Sequence, residues 1–230
     1  MSELTPLAIR RITIDCKRVM DLASEGMFWL GDEDNITHGY AVIFGCEGSP
    51  YYGGAFCFEV TFPPNYPFMP PSFNYLTNDG RTRFNPNLYK NGKVCLSLLN
   101  TWPGEPWSGV QSLSSILQSI QTAVLNPDAL RNEPAYDKLH VHADIPVYDR
   151  MVQHATIETA ILGYLKNPPT YLKPFYEAFK AHVLNSKPGL LKILDALASE
   201  YDGKTEYINF FHMSQVYKFK KLRDEIAKIV

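Results

Sequence analysis

The chain has 230 residues, of which 45% are apolar, 20% charged and 13% aromatic, with a net charge of −2. That size supports one domain, or one domain with an appendage, and so apolar a chain of low net charge is not disordered over most of its length. Near-neutrality argues against bulk nucleic-acid binding, and no apolar run approaches the ~18–20 residues of a membrane span. The expectation is a soluble intracellular protein with neither nucleic acid nor membrane as a partner. The four cysteines, Cys16, Cys46, Cys57 and Cys95, contain no C-x-x-C pair, which leaves four reduced thiols and no expected metal site.

In chain order, residues 6–23 read as a helix with Ile9, Ile12, Cys16 and Val19 on one stripe and Arg10, Arg11, Lys17 and Arg18 around it. Strands follow within 38–76. Tyr40, Val42 and Phe44 alternate, as do Phe56, Phe58, Val60 and Phe62, and Ser72–Thr77 is a third short run. Residues 63–71 hold five prolines in nine positions, which excludes helix and central strand. Residues 78–107 are irregular and rich in Asn, Gly and Pro, yet anchored by Phe84, Tyr89, Val94, Leu96 and Leu98. Helices are expected at about 110–125 and 147–165, then at 172–184, 189–200 and 212–229. Strands clustered together rather than alternating with helices predict an α+β class with an antiparallel sheet.

The candidate nucleophile is Cys95. An isolated cysteine is most often a small buried hydrophobe, and Cys16 and Cys57 fit that description. Cys95 instead follows a glycine-bearing irregular stretch dense in side-chain amides, Asn85-Pro86-Asn87-Leu-Tyr89-Lys-Asn-Gly92-Lys-Val-Cys95-Leu-Ser97. Neutral amides can donate to a developing oxyanion. No histidine is near in sequence, so nothing marks a cysteine–histidine dyad.

Pro50-Tyr-Tyr-Gly-Gly-Ala-Phe56, Phe62–Pro71, Asn-Pro-Asn followed by Gly-x-Val-Cys-Leu, and Trp107-Ser108 together resemble the catalytic domain of ubiquitin-conjugating enzymes over residues 6–165. Arg83-Phe-Asn-Pro-Asn with Asn91–Ser97, and Asn132-Glu-Pro-Ala-Tyr136 with His154-Ala-Thr-Ile157, resemble the family's Z-type branch, whose members continue past the catalytic domain. The resemblance implies the ubiquitin-conjugating fold: an N-terminal helix, an antiparallel meander sheet, a long ordered active-site loop and C-terminal helices. It implies a catalytic domain at 1–165 and an all-helical extension at 166–230. It further implies a transferase that takes ubiquitin or a ubiquitin-like modifier from an activating enzyme as a thioester on Cys95 and passes it to a lysine of a protein substrate, alone or with a ubiquitin ligase. No bound cofactor is expected, since ATP is used by the activating enzyme, and the location implied is cytoplasmic, or also nuclear.

By the same resemblance Asn87 is an oxyanion donor, against the alternative that it only fixes its loop. Glu133 is a candidate for orienting the incoming lysine, against a plain solvated acid. Asn85, Pro86, Tyr89 and Ser97 structure the loop. Arg10, Arg11 and Lys17 on the first helix, with Phe68 and Ser108, are candidate partner contacts. The chain departs from the family where Asn85 replaces a usual His, Ser97 a usual Asp and Gly109 a usual Pro. Two alternatives stand beside this reading: a relative of the giant hybrid conjugating enzyme and ligases, and a non-catalytic ubiquitin-binding variant.

Overall fold

The computed structural model describes residues 4–127, 129–134 and 143–230. Helix α1 is Pro6–Val19, and Thr5 caps it by accepting from the Ala8 N–H. Its buried face is Ala8, Ile12, Asp15 and Val19. Ile9, expected in the stripe, is exposed, and Cys16 is half-buried. The stripe is turned because polar Asp15 is accommodated inside, where Arg11 and the Tyr66 hydroxyl both donate to it.

Four strands pair antiparallel in chain order: β1 Met27–Gly31, β2 His38–Phe44, β3 Ala55–Thr61 and β4 Ser72–Tyr75. β1 was not expected. Met27-Phe-Trp-Leu is an apolar run without alternation, and what makes it a strand is its pairing with β2, Met27 opposite Ile43. The register sets Ile43 beside Phe56 and Ala41 beside Phe58 on the inner face, all fully buried. Phe28, Tyr40, Val42 and Phe44 share the outer face with Cys57 and Glu59.

Helix α2, Leu113–Ser119, starts at a capping box between Ser112 and Ser115 and ends in a π turn, Ile120–Val124. Helix α3, Asp144–Ala155, runs on through a π stretch to Lys166. Helix α4 is one element, Tyr176–Tyr201, with Pro188 inside it, where the sequence predicts a break. Phe179 and Val183 before the proline and Leu190 and Leu194 after it are all fully buried, and this burial on both sides outweighs the lost backbone hydrogen bond. Gly189 permits the approach, since a Cβ there would stand 2.9 Å from the Tyr52 ring.

The α+β class holds, but the extension is not all-helical. Thr205–Ile208 (β5) and Met213–Val216 (β6) form an antiparallel hairpin, and helix α5 begins only at Phe219, running to Ala227. The helical spacing read over 212–229 comes from Phe219 onward. Before it, Thr, Tyr, Ile and Val favour strand, and His212 at φ 49° helps turn the chain. The extension covers the outer face of the sheet. Phe175 lies 5.2 Å from Phe28, Tyr171 stacks 5.4 Å from Tyr40, and His182 stacks 4.6 Å from Phe44. No described helix is long and apolar enough to cross a membrane.

Candidate active site

The segment from Arg83 to Thr101 has little regular structure, so its backbone groups find partners one at a time. Asn85 is the hub and is fully buried. Its Nδ2 donates to the Tyr51 hydroxyl (2.9 Å) and to the Val124 carbonyl (2.7 Å), while its Oδ1 accepts from the Asn87 N–H (2.8 Å). Tyr51 donates onward to the Phe84 carbonyl at 2.7 Å. This ties the turn to β3's approach and to the end of α2. Pro86 is buried in that turn.

Asn87 and Cys95 form a reciprocal pair. The Cys95 N–H donates to the Asn87 carbonyl (2.8 Å), and Asn87 Nδ2 donates to the Cys95 carbonyl (2.8 Å). The loop-fixing contact is therefore made in this structure, and Asn87 Oδ1 is buried without a hydrogen-bond partner. Between the two residues the chain turns at Tyr89–Gly92. Gly92 has φ 90°, and a Cβ there would sit 1.8 Å from Asn74 Oδ1, so only glycine fits. Beyond Cys95, Thr101 Oγ1 accepts from the Leu96 N–H (2.9 Å) and donates to the Val94 carbonyl (2.7 Å). Ser97 is half-buried under Gly104, whose Cβ position would lie 3.0 Å from the Ser97 Cβ.

Cys95 itself is only 1% exposed. Burial pushes the Cys16 thiol, with help from Asp15, up to about 12, and burial likewise pushes the Cys57 thiol up to about 12. Neither supplies a useful thiolate near neutral pH. Cys46 is exposed and its thiol is raised by partial burial. The described histidines are engaged elsewhere: His38 with Asp32 and Glu59, His154 against Tyr217 and Phe219, His182 on Phe44, and His212 beside Tyr207. His140, His142 and Tyr136 lie outside the described residues.

Glu133 is half-buried just after the turn Ala129–Asn132, and its N–H donates to the Leu130 carbonyl. Arg10 and Lys17 are exposed on α1. Arg11 is engaged inside the fold, on Asp15 and on the Gly109 (2.8 Å) and Gln111 carbonyls. Phe68 is 71% exposed beside exposed Met69. Trp107 Nε1 donates to the Pro67 carbonyl at 2.7 Å, which sets exposed Ser108 and Val110 next to the proline loop. Among the described residues no three His, Cys, Asp or Glu side chains are placed to hold a metal ion.

Sequence reasoning missed the roles of Tyr51, Thr101 and Arg83. Tyr51 and Arg83 stood inside the recognised motifs, whereas nothing in the sequence marks the Thr101 hydroxyl.

A family model described as ubiquitin-conjugating enzyme matches residues 11–154. The chain belongs to the ubiquitin-conjugating enzyme family. It is 40% identical over 159 residues to "Ubiquitin-conjugating enzyme E2 Z" of Xenopus tropicalis, covering 69% of this chain and 50% of that protein. It is 37% identical over 160 residues to the human "Dual E2 ubiquitin-conjugating enzyme/E3 ubiquitin-protein ligase BIRC6", covering 66% of this chain and 3% of that protein. The chain thus spans about half the length of the first of these relatives. Among solved structures, the E2 domain of a Toxoplasma gondii ubiquitin conjugating enzyme matches with a TM-score of 0.53 at 24% identity, over 66% of this chain and 97% of that one, which speaks for the shared fold.

Proposed function

We propose that the protein is a transferase that carries ubiquitin, or a ubiquitin-like modifier, as a thioester on Cys95. The Cys95 thiolate attacks the glycyl carbonyl of the activating enzyme's thioester, a new C–S bond forms, and the activating enzyme leaves as its own thiolate. A substrate lysine amine then attacks the Cys95 thioester. The C–N bond forms, Cys95 leaves as thiolate, and the amine's proton passes to solvent. Because a thioester is already activated, the site need only exclude water, stabilise the oxyanion and orient the amine.

The observation that carries this reading is the reciprocal Asn87–Cys95 pair, which holds an amide donor at the nucleophile's own backbone. In the reaction, the Asn87 amide leaves the Cys95 carbonyl for the oxyanion, a donor worth ~2.7–4 kcal/mol in other acyl-transfer sites. Charging also requires the 1%-exposed Cys95 to be uncovered. Glu133 orients the lysine. Arg10 and Lys17 meet the activating enzyme, and Phe68 with Ser108 meets a ligase. The catalytic unit is 1–165 and the extension 166–230, no cofactor is bound, and the protein works in the cytoplasm, or also in the nucleus.

The test is incubation with activating enzyme, ATP and ubiquitin on a non-reducing gel. Wild type should gain a reductant-sensitive adduct, Cys95→Ser a reductant-resistant oxyester and Cys95→Ala none, while Cys16→Ala, Cys46→Ala and Cys57→Ala still charge. An adduct that persists in Cys95→Ala refutes the reading.

A further inference from the structure

We propose that the hairpin β5–β6, which lies outside the family-matched span, is a positioning element of the Cys95 loop, and that Phe211 acts through Arg83. The inference rests on the reading that Cys95 carries the acyl group. Arg83 holds the carbonyls of both residues before Asn87: its Nε donates to the Asn85 carbonyl (3.0 Å) and its Nη2 to the Pro86 carbonyl (2.7 Å). The same guanidinium lies 3.4 Å over the Tyr89 ring and 5.3 Å from the Phe211 ring. The Arg83 N–H reaches Met213 Sδ at 3.4 Å, and the Arg83 carbonyl accepts from the Tyr148 hydroxyl at 2.6 Å. Tyr148 in turn packs 5.8 Å from Phe211.

The two rings limit where the planar fork can lie, and the fork fixes two consecutive carbonyls. The next residue is Asn87, whose amide sits on Cys95. A shift of the guanidinium therefore displaces the donor relative to the reacting sulfur. The hairpin is itself anchored. Arg150 donates to Glu206 through Nε (3.0 Å) and Nη2 (2.6 Å), Tyr217 donates to Glu206 at 2.6 Å, and the Arg150 guanidinium lies 4.1 Å over the Tyr201 ring. Burial alone would raise the Glu206 carboxyl, but the hydrogen bonds from Arg150 and Tyr217 and the Arg150 charge hold it below its ordinary value. The turn bearing Phe211 is therefore held on both sides, by this anchor and by Met213.

The experiment uses the full chain with Phe211→Ala, Phe211→Tyr and Arg83→Lys. Ubiquitin-charged protein is isolated and chased with free lysine, and amide hydrogen exchange is followed on the uncharged protein. Phe211→Ala and Arg83→Lys should discharge at least about tenfold more slowly, as small misplacements of a donor do. Exchange should quicken in residues 85–96 and stay at wild-type rates in β2 and β3. Phe211→Tyr, which keeps the ring, should restore both readouts. Wild-type discharge and exchange in Phe211→Ala overturn the proposal, and so does exchange that quickens equally through the sheet. Failure of wild type to charge on Cys95 overturns the proposed function instead, and exchange in 85–96 still decides whether Phe211 positions the loop.

Discussion

Residues 83–101 add to their buried Phe84, Leu88 and Val94 a web of amide and hydroxyl groups meeting backbone atoms, whereas residues 171–230 are held mainly by buried apolar side chains. Asn85, Asn87 and Thr101 each tie two or more strands of irregular chain through hydrogen bonds of 2.7–2.9 Å. Leu172, Phe179, Val183, Leu190, Leu194, Phe219 and Ile226 are all fully buried against the rest of the core. What distinguishes the first region is single polar atoms, and what distinguishes the second is volume. The two meet at Arg83, where the extension's Phe211 and Met213 touch the loop.

The heaviest blow to this contrast is to end the chain after Lys166. The outer face of the sheet would lose the rings that cover it, Phe175 from Phe28, Tyr171 from Tyr40 and His182 from Phe44, and exposing that apolar surface costs stability. The truncated chain should still fold, with a thermal midpoint by circular dichroism well below the full chain's. A midpoint equal to the full chain's would mean that the extension is not part of the core. Phe179→Ala is the single-residue version. It empties a site beside Phe44, 6.0 Å away between ring centres, and should cost about 3–5 kcal/mol in urea unfolding.

The seam between α3 and the extension is titratable. His154 is buried, its Nε2 accepts from the Lys218 N–H, and burial lowers it from 6.5 to about 4. Protonation therefore favours the unfolded chain. The stability due to a neutral His154 is complete above pH 6.5 and is lost as pH falls toward 4, by about 3 kcal/mol across that window. His154→Phe should flatten the dependence of stability on pH between 6.5 and 4, and an unchanged slope would place the titration elsewhere. In the polar region, Asn85→Ala orphans the Val124 carbonyl and the Asn87 N–H. It should cost about 1–3 kcal/mol per orphaned group. If Asn85→Ala is as stable as wild type, the hub role fails.

The same contrast governs what could be read from the sequence. Apolar periodicity located β2, β3, α2, α3 and the stripes of α4, because burial of volume leaves a repeating pattern. It missed β1, where Met27-Phe-Trp-Leu does not alternate, and it ran the last helix back over the hairpin. It also broke α4 at Pro188, since a local rule cannot register the core contacts of Val183 and Leu190. The Cys95 loop has no period. Cys95 stood out by its amide-rich, glycine-bearing surroundings, while the roles of its neighbours came from resemblance to a family, which could name Asn87 and Asn85 but not say what their amides touch. The Arg83–Phe211 contact spans well over a hundred residues, and nothing local in either segment announces it.

The central claim is that the modifier is carried on the cysteine paired with Asn87. Its most direct test is to charge the wild-type chain with ubiquitin, digest it with trypsin at low pH without reductant, and locate the glycyl-glycine remnant by tandem mass spectrometry. The account predicts the remnant on Cys95, in the peptide that follows Lys93, and its loss on treatment with a thiol. A remnant on Cys46, or on a lysine with Cys95 left free throughout the time course, contradicts it.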